Sequence, residues 1–371
     1  MTVHAAAIVA DPPAAAPPFV HRTVAQRVVF GAGTRRRMAD EAQLARIARA
    51  MVISTPEQSA SANELADLLG ERCALRFTRA RMHTPVALTE EAVALAEQQA
   101  VDGIVAVGGG SAIGLSKAIA LRTDLVQVVV PTTYSGSEMT DIVGQTAGGT
   151  KNTVRDPRIL PEVVVYDVEL TLTLPPAASV ASAANAIAHA IEGLYAENTN
   201  PVIALMAEEG IRALGSAVPR LSTASADANV RAEALYGSWL CGTVLGSASM
   251  ALHHKLCHVL GGAFDLPHAE THAALLPHTI AYNAPAAPSA MARVARAIGA
   301  GDVPARLYDL VRDGGAPISL RALGLPANAL EHATDLALLN PYWNPRPLER
   351  DGIRALLDDA WHGRPPRSTT A

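Results

Sequence analysis

Five short β-branched runs punctuate the first half of the chain: "RVVFG" (27–31), "AMVIST" (50–55), "GIVAVG" (103–108), "VQVVVP" (126–131) and "VVVYD" (163–167). Between the first four lie Ala/Leu/Glu-rich stretches such as "SANELADLLGER" and "TEEAVALAEQQA", with apolar residues at helical spacing. This alternation constrains the fold more than any other feature. Parallel neighbours need a crossover, and a helix is the usual one, so the pattern predicts a doubly wound, mostly parallel α/β sheet.

The pattern stops at "TLTLPP", where Pro175 and Pro176 close the strand-rich region. From about Ala177 onward the chain reads as helix: "ASVASAANAIAHAIEGLYA", "VIALMAEEGIRALGSAV", "VRAEALYGSWLCGTVLGSASMALHHKLCHVLGG" and "APSAMARVARAIGA". We expect a disordered Ala/Pro-rich tail over 1–18, an α/β domain over 19–174 and an all-helical domain over 175–371. A chain of 371 residues, 49% of them hydrophobic, has apolar mass enough for two cores.

Composition narrows the partners. Net charge is −5 and no lysine- or arginine-rich run exists beyond Arg35, Arg36 and Arg37, which read as a solvated helix start. Nucleic acid is therefore not expected, and a small molecule is. Cys73, Cys241 and Cys257 are odd in number and widely spaced, which speaks against a disulfide framework and for a reducing compartment. The N-terminus lacks the basic segment and unbroken apolar core of a signal peptide, and no run of eighteen apolar residues follows. A cytoplasmic protein without a membrane partner is the expectation.

"DGIVAVGGGSAIGLSKAIAL" (102–121) sets three glycines and a serine between a buried strand and a helix. Such a turn lets backbone approach a pyrophosphate and points helix N-terminal amides at it, which nominates Gly108, Gly109, Gly110 and Ser111. "PTTYSGSEMT" (131–140) adds hydroxyls at Thr132, Thr133 and Ser137 for ribose or phosphate. Where NAD-preferring dinucleotide folds commonly carry an acid at the end of the second strand, Ser54 and Thr55 stand instead, so NADPH is expected to be accepted alongside NADH.

In the helical half, "ALHHKLCHVLGGAFDLPHAETH" (251–272) holds five of the twelve histidines. Asn185 and His189 are four apart and share a helix face, as do His254 and His258; His268 follows a glycine-rich bend. The spacing implies a nucleotide-dependent enzyme with a histidine-rich cleft, and leaves open whether the imidazoles hold a metal. Cys257 reads as a small buried residue.

The order "VAVGGGSAIGLSKAIA", "PTTYSGSEMT", "NAIAHAIEGLYA", "HHKLCHVLGGAFDLPHAETH" and "NPYWNPRPLERDGIRALL" resembles the iron-containing (type III) alcohol dehydrogenase superfamily, and within it the maleylacetate reductase branch. The resemblance runs from about Phe19 to the C-terminus. It implies an NADH- and/or NADPH-dependent reduction of the carbon–carbon double bond of maleylacetate to 3-oxoadipate in aromatic-compound degradation. Metal-dependent relatives hold iron or zinc with an aspartate and three histidines, and those positions fall on Asn185, His189, His254 and His268. An amide is neutral and a poor ligand, so no metal is expected. The resemblance assigns catalysis to His254, His189 and His258, with Asn185, His268, Tyr342 and Lys255 toward a dicarboxylate substrate. It places Lys151 near the nicotinamide and implies a homodimer, built through "FVHRTVAQRVVF". Two rivals remain: a metal-dependent alcohol or polyol dehydrogenase, and a non-catalytic nucleotide-binding protein.

Overall fold

The computed structural model describes residues 19–21, 25–147 and 150–367. The tail over 1–18 therefore lies outside the described residues. Strands β1 (Arg27–Gly31), β2 (Ala50–Ile53), β3 (Cys73–Phe77), β4 (Gly103–Gly108), β5 (Val126–Pro131) and β8 (Val163–Asp167) form one parallel sheet in the order β1-β8-β5-β4-β2-β3. Strands β6 (Ile142–Ala147) and β7 (Thr150–Arg155) make a separate antiparallel hairpin. Helices α1 (Met38–Leu44), α2 (Ser59–Leu69), α3 (Val86–Gln98) and α4 (Gly110–Thr123) serve the sheet. The rest is helical: α5 (Pro176–Leu194), α6 (Pro201–Leu221), α7 (Ala228–Ser247), α8 (Leu252–Phe264), α9 (His268–Asn283), α10 (Pro288–Ile298), α11 (Val303–Asp313), α12 (Ala329–Leu338) and α13 (Arg350–His362).

The expected α/β half and helical half are both present, and every pairing in the main sheet is parallel. Period-two alternation divides the strand residues between two layers. Val52, Val105, Val128, Val130 and Val165 pack with Met38, Ala42, Leu65 and Leu69 of α1 and α2 on one face. Met51, Ile53, Ile104, Val129 and Val164 face the other way, into a core that continues through Ile187 and Ile191 of α5 to Leu276 and Ile280 of α9. One apolar core thus links the sheet to the helices.

Two differences from the sequence reading have physical causes. β3 is an edge strand paired only with β2, and its "CALRF" carries an exposed Arg76, so no alternating apolar pattern marks it. The long segment 230–262 breaks after Ser247, because the start of α8 is fastened to a carboxylate on α5 instead of continuing α7.

The two halves also meet backbone to backbone. On α7, Gly242 and Gly246 lie four apart, and the loop after β5 runs across them. A Cβ on Gly136, whose φ is 74°, would stand 2.9 Å from the Gly242 Cα, and one on Gly246 would stand 2.3 Å from the Met139 carbonyl oxygen. No helix among the described residues is long and apolar enough to cross a membrane.

Candidate active site

At the cofactor turn, β4 ends at Gly108, with φ 148°, and Gly109 is the N-cap of α4 with no side-chain cap. The first amides of the helix, at Gly110 and Ser111, are thus left for a ligand. Gly108 and Gly109 are each required by their surroundings, and Gly110 is not. A Cβ on Gly108 would meet Gln58 Oε1 at 2.6 Å, one on Gly109 would meet Thr133 Cγ2 at 3.0 Å, and one on Gly110 would project into open space.

The neighbouring hydroxyls are less free than the sequence suggests. Thr132 is buried and its Oγ1 accepts from Gln58 Nε2 at 2.6 Å. Ser137 is held by Lys117, whose Nζ donates to its carbonyl and lies 3.3 Å from its Oγ. Ser54 is fully buried with its hydroxyl donating to the Thr55 carbonyl, so it offers nothing to a ribose, which corrects its nomination. Just beyond it, in a 3₁₀ turn (Pro56–Gln58), Glu57 supplies a carboxylate that the reading of this strand end overlooked. Lys151 sits on β7, and its side chain lies outside the described residues.

Lys117 is a residue the sequence reading missed. Fully buried on α4, it donates also to Thr140 Oγ1 at 2.9 Å and to the Ile142 carbonyl at 3.0 Å. Burial drives its ammonium down to about 7, against the pull of Glu138 and Asp141. It ties the helix that starts at the glycine turn to the loop that passes His189.

The histidines converge as their spacing predicts. The ring centroids of His189 and His254 lie 5.1 Å apart, and those of His254 and His258 lie 6.3 Å apart. His268, exposed at the start of α9, has its ring 4.5 Å from that of His272 on the next turn. His272, which the sequence reading did not nominate, is central: its ring lies 5.1 Å from that of His254 and 6.3 Å from that of His189.

Glu192 organises this cluster. It lies on α5 one turn beyond His189 and is completely buried. Its carboxylate accepts from His254 Nδ1 at 2.6 Å, from Ala251 N at 2.9 Å and from His253 N at 2.8 Å. Burial alone would raise the carboxyl; the bond from His254 and the further donors reverse this and hold it below its ordinary range. Since His254 Nδ1–H is turned toward Glu192, its Nε2 faces the other way, buried and without a partner among the described residues. "NAIAHAIEG" did carry a signal, a lone acid in an otherwise uncharged helix.

A second chain of bonds fixes His272. Thr279 Oγ1 donates to the helix carbonyls of Leu275 and Leu276, so it accepts from His253 Nδ1 at 2.9 Å. His253 Nε2 then accepts from His272 Nδ1 at 2.9 Å, leaving His272 Nε2 a lone pair with no partner. Burial, then the neighbouring histidines, push His189 and His272 well below the usual imidazole range, and burial takes His253 down to about 3. Asn185 Oδ1, His189 Nδ1 and Tyr342 Oη are likewise buried and unpartnered. The unpartnered nitrogens of His189, His254 and His272, on rings 5.1 to 6.3 Å apart, mark a place for a polar ligand.

Lys255 does not point into that group. Its Nζ donates to the Leu339 carbonyl at 2.9 Å and lies 5.5 Å from the centroid of the Tyr342 ring. Its part is to hold the segment carrying Tyr342, which corrects its nomination as a substrate contact.

A divalent cation is held by donors that bring negative charge to it. Asn185, His189, His254 and His268 supply one amide and three imidazoles, and Glu192, the buried acid beside them, spends both oxygens on protein donors. No negative charge is left to replace the missing aspartate. His253, Cys257 and His272 also bring ligand-type atoms within 4.8 Å of one another. There the two imidazole nitrogens share a hydrogen bond, and burial pushes the Cys257 thiol well above its usual range, away from the thiolate a metal would bind.

The iron-containing alcohol dehydrogenase family profile matches residues 25–168, and the profile of that family's C-terminal region matches residues 179–361. The chain belongs to the iron-containing alcohol dehydrogenase family. Within this family it is similar to the maleylacetate reductase of Sphingobium indicum, 54% identical over 349 residues, which covers 94% of this chain and 99% of that protein. The maleylacetate reductase of Burkholderia cepacia is 55% identical over 340 residues, covering 92% and 97%. Among solved structures, that of maleylacetate reductase from Agrobacterium tumefaciens superposes with a TM-score of 0.91 at 52% identity, covering 94% of this chain and all of that one.

Proposed function

We propose that the protein is an NADH- or NADPH-dependent maleylacetate reductase that works without metal, as a cytoplasmic homodimer. The observation that carries the reading is the Glu192–His254 pair beside Asn185. The family's metal would sit where this chain offers an amide, and an imidazole backed by a buried carboxylate stands ready to act in its place. Identity at about half of the aligned positions to reductases, over nearly the whole chain, supports the substrate. β1 is an edge strand with Phe30 exposed on it and Phe19 and Val20 exposed before it, which supports a dimer formed along that edge.

Gly109, Gly110 and Ser111 would hold the dinucleotide pyrophosphate, and the nicotinamide, when bound, would supply the hydride for the substrate carbon β to the ketone. His254 Nε2 donates to the ketone oxygen as it gathers enolate charge, while Glu192 balances the charge of the doubly protonated ring. His258, exposed one turn along α8, returns a proton from solvent for the α carbon. Asn185, His189 and Tyr342 meet the carboxylates and exclude water.

The test is NADH and NADPH oxidation with maleylacetate, with and without chelator, on wild type and on His254→Ala. We expect chelator-insensitive turnover and a loss of at least roughly a hundredfold in the variant, the scale of losing one preorganised donor. Activity abolished by chelator, or a variant near the wild-type rate, overturns the reading.

A further inference from the structure

Between α9, α13 and the segment 342–349 lies a cavity of about 300 Å³, none of whose lining residues belongs to the histidine cleft. Its walls are largely apolar, from Ala281, Tyr282, Ala355 and Leu356. Two polar groups in it have unmet capacity. His278 is 4% exposed and its Nε2 has no partner among the described residues. Arg346 lies flat on the Tyr282 ring, 4.3 Å from its centroid, and spends Nη1 on the Tyr282 carbonyl. No carboxylate pairs with this half-buried guanidinium among the described residues. The acid in the wall, Asp359, is already paired with Arg364 at 3.2 Å and Arg367 at 2.5 Å, so the lining carries a positive surplus.

An apolar chamber of this size, with a planar cation on an aromatic face and an unpartnered buried imidazole, has the make-up of a small-ligand site. We propose that this cavity binds a small carboxylic acid with a flat apolar body, its carboxylate on Arg346 and His278 and its body against Tyr282 and Leu356. The site is separate from the proposed catalysis and does not depend on it.

Its walls reach the cleft. Tyr282 Oη donates to the Pro347 carbonyl at 2.7 Å and accepts from Glu349 N at 3.1 Å. Asn344 Nδ2 donates to the Arg346 carbonyl at 2.7 Å, while its Oδ1 accepts from Leu252 N, at the first residue of α8, at 3.3 Å. An acid seated there bears on the segment carrying Tyr342 and on the helix carrying His254.

The test is isothermal titration of the intact protein with benzoate, and with benzyl alcohol as the uncharged comparison. We expect a benzoate Kd in the millimolar range or tighter and at least tenfold weaker binding of the alcohol. Arg346→Gln and Ala355→Phe should each weaken benzoate at least tenfold, with His254→Ala within twofold of wild type. Should Ala355→Phe fail to fold, the half-exposed Arg346→Gln and the alcohol comparison decide. No measurable benzoate binding, equal affinity for the alcohol, or a loss confined to His254→Ala, which would put the acid in the histidine cleft, overturns the proposal.

Discussion

Replacing Glu192 by glutamine probes the centre of the reading, because it keeps the shape and removes the charge. A carboxylate about 4 Å from the centre of charge of a doubly protonated ring contributes about 4 kcal/mol at the effective dielectric suited to such sites. If most of that is realised as the substrate oxygen gains charge, turnover in Glu192→Gln falls roughly a hundred- to thousandfold. KM should change little, since Glu192 spends its oxygens on His254, Ala251 and His253 and touches no substrate. A stability cost accompanies this: glutamine has one acceptor oxygen for three donors, and a buried N–H left unpaired costs about 1–3 kcal/mol. The assay is steady-state NADH oxidation with maleylacetate, paired with denaturant unfolding to confirm the variant is folded. A folded Glu192→Gln with turnover within threefold of wild type would refute the assignment of Glu192 and, with it, His254 as the charged donor.

The buried imidazoles make stability depend on acidity. His189, His253, His272 and His278 are all held below their ordinary range, His278 at about 4 by burial, so the unfolded chain takes up protons that the folded one refuses. Their contribution is complete above pH 6.5 and is lost as pH falls through the acid range below it; urea titrations should show a clearly less stable protein at pH 5 than at pH 7, and equal stability contradicts the burial argument. Asn185→Asp restores the carboxylate of the metal-dependent relatives, so after dialysis against zinc we expect about one ion per chain by elemental analysis where wild type retains none; equal occupancy would show that Asn185 does not decide it. Gly136→Ala adds a Cβ at positive φ against the Gly242 backbone, and should cost about 1–3 kcal/mol in unfolding and lower turnover by displacing the loop beside His189; an unchanged melting temperature would show that the contact yields freely.

The sheet was legible because its central strands are buried on both faces and so spell out continuous β-branched runs, as "GIVAVG" and "VQVVVP" do. The edge strand β3 and the hairpin β6–β7 lack that signal, since half their residues face solvent or each other. Asn185, His189, His254 and His258 could be grouped by four-residue spacing alone. Glu192 and His272 escaped because what matters about them is which hydrogen-bonding partner each acquires, and those partners lie some sixty residues away on another helix or behind a second imidazole. The Ser54 and Lys255 nominations failed for a related reason: a polar residue at the right place in sequence had already been claimed by a backbone carbonyl.

The run of loop backbone over Gly242 and Gly246 sets a limit on how the molecule can breathe. With no side chains interposed, there is no compressible layer between the loop after β5 and α7, so the two cannot draw apart without opening a void or press closer without collision. The position of this loop beside His189 is thus gauged by two missing methyl groups on α7.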